Sequence, residues 1–327
     1  MKKYFKNLAI YIVIAIAIQG AFLTYINNVY LKESTVVVAK TPEKKEEPKK
    51  EDNNILLKLK PEMKNTIISE SSKYIAYENE GSIYYKLLQD EKDAIRIETN
   101  NMLKYKWLYN DEMLIAEKNN NKIEFFIYNI DEKNKTLINS LSLRDKNTEI
   151  EDIVVSPLKK IAFVKVKTSR GIEIYKLNGE KDMERVKLSR TNIEDVKIIP
   201  HEDKIIYRAK DDSNLYISYI SKSISFGENG EIKILGVDKS DTIYVATKQD
   251  DKITKIYYGN INTKKSEWKT IDLKEPITEG NFYLAENNTA YQVIPSENKI
   301  KSLIDEKEFK YKGSFLKLYG DKVISSN

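Results

Sequence analysis

From Ile55 onward the apolar residues of this chain come in runs of four to eight, rich in Ile, Val, Tyr and Leu and bounded by polar turn clusters. That pattern predicts β-strands. Sustained helical spacing is absent after the first 54 residues, which argues against α/β folds and their nucleotide-binding crossovers. The clearest unit is Ser156-Pro157-Leu158-Lys159-Lys160-Ile161-Ala162-Phe163, a polar turn leading into an apolar strand, with Gly171–Leu177 as the next strand. Related second strands occur at Lys73–Tyr77, Glu112–Ala116, Lys204–Tyr207, Thr242–Ala246 and Thr289–Val293. Their central residues Ile75, Leu114, Ile161, Ile205, Ile243 and Ala290 are 39, 47, 44, 38 and 47 residues apart. A period of about 40–45 residues with four strands per unit is that of a β-propeller blade.

Six such units fit between Thr66 and about Ile304. Three strand-like pieces remain: Ile55–Leu59 before the first unit, and Phe315–Tyr319 and Lys322–Ser325 after the last. Pairing both ends of the chain in one blade uses all three and removes exposed sheet edges. The expectation is an all-β propeller of four-stranded blades, seven with the last a composite rather than six with frayed ends. The recurrent tyrosines of the third strands are expected to fill the space between stacked sheets.

The string S-P-L-K-K-I-A-F resembles the S-P-D-G-K-x-I-A-F signature of the TolB-like propeller repeats. These repeats also occur in the propeller domains of prolyl-oligopeptidase-type peptidases such as dipeptidyl peptidase IV. Ser69–Tyr77 and Pro200–Tyr207 are weaker copies. Leu158 and Lys159 stand where the family has Asp and Gly, so the usual turn chemistry is expected to be lost there. The resemblance implies the fold from Ile55 to the end and leaves function open. The catalytic domain of those peptidases carries G-x-S-x-G, and this chain has no such string.

The N-terminus has a different pattern. Lys2, Lys3 and Lys6 precede Leu8–Ile26, 19 residues without a charge. About 20 helical residues span a bilayer, so the segment reads as an uncleaved anchor. The alternative, a cleaved signal peptide, finds only a poor cleavage site at Gln19-Gly20-Ala21. The lysines ahead of the span place the start in the cytoplasm and the rest outside it. Lys40–Asp52 has no apolar residue besides its prolines and reads as a solvated linker. The expected organisation is a cytoplasmic start at 1–7, one transmembrane helix at 8–26, a juxtamembrane segment and linker at 27–54, and the propeller at 55–327.

Net charge is +5, but residues 1–54 hold 9 Lys against 6 Asp and Glu, so the body is nearly balanced. Interspersed signs without a basic surface argue against nucleic acid as a partner. With no cysteine there is no disulfide, thiolate metal site or lipidated cysteine. A single histidine, His201, excludes sites that need two imidazoles and falls in a turn of the fourth unit. Ser156/Lys159 and Ser296/Lys299 satisfy a bare S-x-x-K pattern, but both fall in inter-strand turns. Glu149/Glu151/Asp152 and Asp211/Asp212 are carboxylate clusters of the kind a glycosidase or calcium site uses, and equally of the kind found on solvated turns. Trp107, on the inner strand of the second unit, is a candidate for the binding face or for the core. No catalytic, cofactor-binding or metal-ligating residue is assigned, and no cofactor is expected. The reading is a non-enzymatic, membrane-anchored extracytoplasmic propeller that binds an envelope or membrane protein, a peptide or a wall component. The alternatives are a propeller enzyme using channel-facing carboxylates on glycan or peptide, and an accessory regulatory subunit of a membrane complex.

Overall fold

The computed structural model describes Gln19 and residues 54–327, apart from 91–92, 144–147, 180–181, 211, 221–222, 227–230 and 306. The anchor at 8–26, Gln19 excepted, and residues 27–53 of the juxtamembrane segment and linker lie outside the described residues, while Asn54, expected to end the linker, already belongs to a strand. No helix among the described residues is long and apolar enough to cross a membrane.

Six four-stranded antiparallel sheets follow one another along the chain, at 64–97, 102–142, 149–185, 193–225, 231–278 and 282–310. They are blades 1 to 6. Their second strands begin at the expected residue or one residue later. The first strands of blades 1 to 5 each touch the next around a central channel, so strands A to D run outward from it. The A–B turns therefore lie on one face, and the B–C turns and D-to-A connections on the other.

Blade 7 is the composite. Ser314–Tyr319 is its inner strand, Lys322–Ser326 its second and Asn54–Leu57 its third. It differs from expectation in having three strands, not four, among the described residues. Its third strand also runs parallel to the second, with Ile55 opposite Ile324. Connectivity gives the reason. Asn54–Leu57 must deliver the chain to the start of blade 1, and every A strand starts on the face where D strands end. The closing strand thus occupies the place of strand C with the direction of strand D.

Strand alternation makes the core. Successive side chains point to opposite sheet faces, so each blade sends one set to each neighbour. In blade 2, Met113 and Ile115 pack toward blade 1, while Leu114 and Ala116 pack toward blade 3. In blade 5, Ile243 and Val245 face blade 4, while Tyr244 and Ala246 face blade 6. The buried apolar residues accordingly form seven clusters, one at each blade junction. Of the third-strand tyrosines, Tyr85, Tyr128, Tyr216 and Tyr257 are buried between sheets as expected, while Tyr84, Tyr175 and Tyr258 are half-buried. The second strands add the buried Tyr207, Tyr244 and Tyr291. Burial drives the Tyr85 and Tyr244 phenols well above their usual range.

A register shift interrupts the first strand of blades 1 to 5 and 7. Such bulges raise local twist and re-aim side chains at the channel.

Candidate functional site

The A–B turns align into columns. At the first position Ser69, Leu108, Ser156, Pro200, Asp238 and Ala285 are all buried. Several close the turn with their side chains: Asp238 accepts from the Ser240 and Thr242 N–H groups at 2.8 and 2.9 Å, and Ser156 Oγ accepts from Leu158 N–H at 3.3 Å. At the fourth position Ser72, Asp111, Asp203, Asp241 and Asn288 have φ between 50° and 63°. This is the glycine position of the TolB-like signature. These blades keep the left-handed turn position without glycine, since Asp and Asn in particular tolerate that region, and the loss expected at Leu158 and Lys159 is confined to that turn. Only the Lys159 turn departs, since Lys159 has no positive φ among the described residues.

The fourth-position side chains also reach the preceding turn. Asp111 accepts from Ser71 Oγ at 2.7 Å, Asp203 pairs with Lys159 at 2.7 Å, and Asp241 accepts from the His201 N–H at 3.0 Å. Asn288 accepts from the Lys239 N–H at 3.1 Å and donates to Ser240 Oγ at 2.8 Å. Where Lys159 replaces the acceptor, Lys160 bridges instead, 2.7 and 2.8 Å from the two Glu112 oxygens. Lys317 of blade 7 completes the circle, with Glu286 of blade 6 at 2.6 Å and the Ser69 and Glu70 carbonyls of blade 1 at 2.6 and 2.8 Å. All seven junctions are bridged on this face.

Within that ring the channel opens into a cavity of about 300 Å³. Its walls are the last residues of inner strands, Ile68, Trp107, Val155, Val237 and Leu284, with Pro157 and Ala285 beside them. Its charged groups are Glu70, Asp238, Lys239, Glu286 and Lys317. Glu70 and Lys239 pair at 2.6 Å. They belong to blades 1 and 5, which are not neighbours, so the pair spans the mouth. Each carboxylate here is engaged: Glu70 by Lys239, Glu286 by Lys317, Asp238 by backbone N–H groups. Trp107 stands at both places considered for it, in the core and facing the channel. It is buried against Tyr74 at 6.1 Å, donates Nε1–H to the Ile67 carbonyl at 3.2 Å, and lines the mouth.

The other residues singled out from sequence are kept apart. His201 is exposed in its turn, with Nδ1 3.2 Å from Asp241. Ser156 is buried in its turn while Lys159 reaches blade 4, and Lys299 pairs with Glu297 at 2.7 Å on the other face, so neither S-x-x-K string forms a catalytic pair. Glu149 pairs with Lys167 and Glu151 with Lys165, while Asp152 lines a cavity at the opposite end of the channel. Asp211 lies outside the described residues. Partial burial works to raise the Asp212 pKa, but hydrogen bonds from Tyr216 and Asn214 and the charge of Arg190 outweigh it and hold the carboxyl below its usual range. Among the described residues no group of three or more His, Asp or Glu is placed to hold a metal ion.

Sequence reasoning missed Glu70, Lys239, Glu286 and Lys317. The first three share one column, the second turn position, with Tyr109, Pro157 and His201. Aligning the turns, and not only the strands, displays this column. The opposite face carries a second charged cavity, of about 500 Å³, between blades 4 and 5. There the buried Arg208 donates Nε–H to Asp195 at 3.1 Å, and its Nη2 lies 2.5 Å from Glu194 and 3.7 Å from Glu231.

No protein-family model and no curated protein matches the chain. Solved structures do. An oligogalacturonate lyase from Vibrio parahaemolyticus superposes with a TM-score of 0.54 at 11% identity, covering 80% of this chain and 82% of that one. A catalytically inactive virginiamycin B lyase from Staphylococcus aureus with quinupristin gives 0.52 at 10% identity, covering 79% and 92%. The WD40 domain of SCAP from fission yeast gives 0.49 at 10% identity, covering 77% and 74%. At such identities the likeness is one of fold and selects no family, TolB-like or other: this chain is an all-β, seven-bladed β-propeller.

Proposed function

We propose that the propeller is a binding module whose ligand, an envelope protein, a peptide or a wall component, docks at the channel mouth on the A–B face. The charge-free segment 8–26, with Lys2, Lys3 and Lys6 ahead of it, supports a membrane-anchored, extracytoplasmic setting. The observation that carries the reading is the state of the mouth: apolar walls with carboxylates already paired make a recognition surface, whereas acid–base chemistry needs a carboxylate free to exchange a proton. A photo-crosslinking amino acid at Pro157 of the full-length chain, expressed in its own cells, tests it. A discrete adduct is expected, and it should disappear when Leu284→Arg fills the cavity. No adduct, or one indifferent to Leu284→Arg, overturns the reading. If a secreted form lacking 8–26 keeps full function, the role as a membrane-complex subunit also falls.

The cavity between blades 4 and 5 favours a second reading, an enzyme. Glu194, Asp212 and Glu231 line it around Arg208, and two lyases share the fold. Eliminative cleavage of an acidic oligosaccharide creates a conjugated double bond that absorbs in the ultraviolet. Turnover by the natural chain that is abolished by Glu231→Gln would replace the binding reading.

A further inference from the structure

The pair that spans the mouth indicates which chemistry the mouth takes. We propose that the site binds a primary ammonium carried on an apolar group, and that in the free protein Lys239 occupies the ammonium's place. The inference rests on the mouth being the ligand site.

The ring of turn contacts joins neighbours, whereas Glu70–Lys239 joins blades 1 and 5 across the opening at 2.6 Å. It therefore covers the apolar walls formed by Ile68, Trp107, Val155, Val237 and Leu284. The two partners are not held equally. Lys317 donates to the Glu70 carbonyl at 2.8 Å and to the adjoining Ser69 carbonyl at 2.6 Å, which fixes the backbone that carries the Glu70 carboxylate. Among the described residues the Lys239 ammonium has one partner, Glu70, and its side chain is 34% exposed on a long flexible stem. A partly exposed pair of this kind is weakly held, and its movable half is the lysine.

Charge decides the ligand's sign. Around the mouth stand three carboxylates, Glu70, Asp238 and Glu286, against two ammoniums, Lys239 and Lys317. Lys317 spends its three protons on Glu286 and the two carbonyls. When Lys239 swings into solvent, the mouth keeps three carboxylates against one ammonium, and a cation is favoured there. An anionic ligand would instead have to take Lys239 from Glu70 and sit among three carboxylates, which like-charge repulsion opposes. The apolar walls below accept the group that carries the ammonium.

Three probes with one apolar tail isolate the head group: hexylamine, 1-hexanol and hexanoate. Binding to the full chain in detergent is read from the Trp107 indole N–H in NMR spectra, with Trp268→Phe to assign it. Hexylamine is expected to bind best, and Lys239→Ala to tighten it by about tenfold, with Lys239→Met behaving alike. Glu70→Gln in the Lys239→Ala background should erase the preference over hexanol. Hexanoate binding best, or hexylamine affinity unchanged by Lys239→Ala, overturns the proposal. Equal binding of hexylamine and hexanol also overturns it while leaving the mouth as a ligand site. No probe perturbing Trp107 in any variant removes both readings. Leu-Gly-Gly with a free N-terminus, compared with its N-acetylated form, then separates a peptide terminus from a free alkylamine as the source.

Discussion

The fourth turn position asks two things of one residue: a left-handed backbone and an acceptor aimed at the preceding blade. Asp241 meets both, with φ 60° and Oδ1 3.0 Å from the His201 N–H. Substitutions separate the two demands. Asp241→Asn keeps both and is expected within about 0.5 kcal/mol of the natural chain. Asp241→Gly keeps the backbone and loses the bond, for about 1 kcal/mol. Asp241→Ala loses both, with about 1–2 kcal/mol more for the left-handed alanine. Urea denaturation should return that order; alanine equal to glycine would mean that the turn relaxes. Asp212 gives a pH test. Its carboxyl is lowered in the folded state, chiefly by Tyr216 and Asn214 overcoming burial, so its stabilisation is complete above the unfolded value of about 4 and is lost as pH falls through the folded value. Asp212→Asn should therefore flatten the acid limb of the stability curve below about pH 4 and leave its shape near neutrality unchanged.

At the scale of elements, the closing strand is the sharpest case. Leu57 is buried in the junction between blades 7 and 1, and its neighbour Leu56 is 45% exposed. Leu57→Ala is expected to cost about 2–4 kcal/mol and Leu56→Ala less than about 0.5. Equal effects would put the strand in the wrong register. Trp268 poses the reverse problem, since a Cβ at Gly259 would lie 2.4 Å from its ring. Gly259→Ala should overpack blade 5 by about 1–3 kcal/mol, visible as a lowered midpoint and altered Trp268 fluorescence. The blade count and the composite blade were legible in sequence, because spacing and alternation are local properties of strands. The three-strand count and parallel direction of blade 7 were not, since they follow from where the chain must be delivered in space. The site divides the same way. Trp107 stood out by its place on an inner strand, whereas Glu70 and Lys239 meet only once the ring has closed. Lys40–Asp52 and the anchor belong to sequence alone.

For the whole molecule, closure makes each blade depend on two neighbours. Seven clusters and seven turn bridges leave no blade with a free side, so one broken junction should be felt around the ring. Lys317 is the most exacting point, because it bridges blades 6, 7 and 1 at once. Lys317→Met leaves the Glu286 carboxylate and two carbonyls without their donor and is expected to cost about 2–4 kcal/mol. Lys159→Met breaks a single pair with a 42% exposed lysine and should cost less than about 1 kcal/mol. The two tryptophans report on the mode of unfolding, since Trp107 sits in blade 2 and Trp268 in blade 5. If closure couples the blades, Trp107→Phe and Trp268→Phe chains, each with one reporter left, give coincident transitions once each substitution's own stability change is subtracted. In the Lys317→Met background the bridges on both sides of blade 7 are cut, and loss of coupling should then separate the two transitions. Coincident transitions there as well would show that the apolar clusters, without the polar ring, suffice to couple the blades.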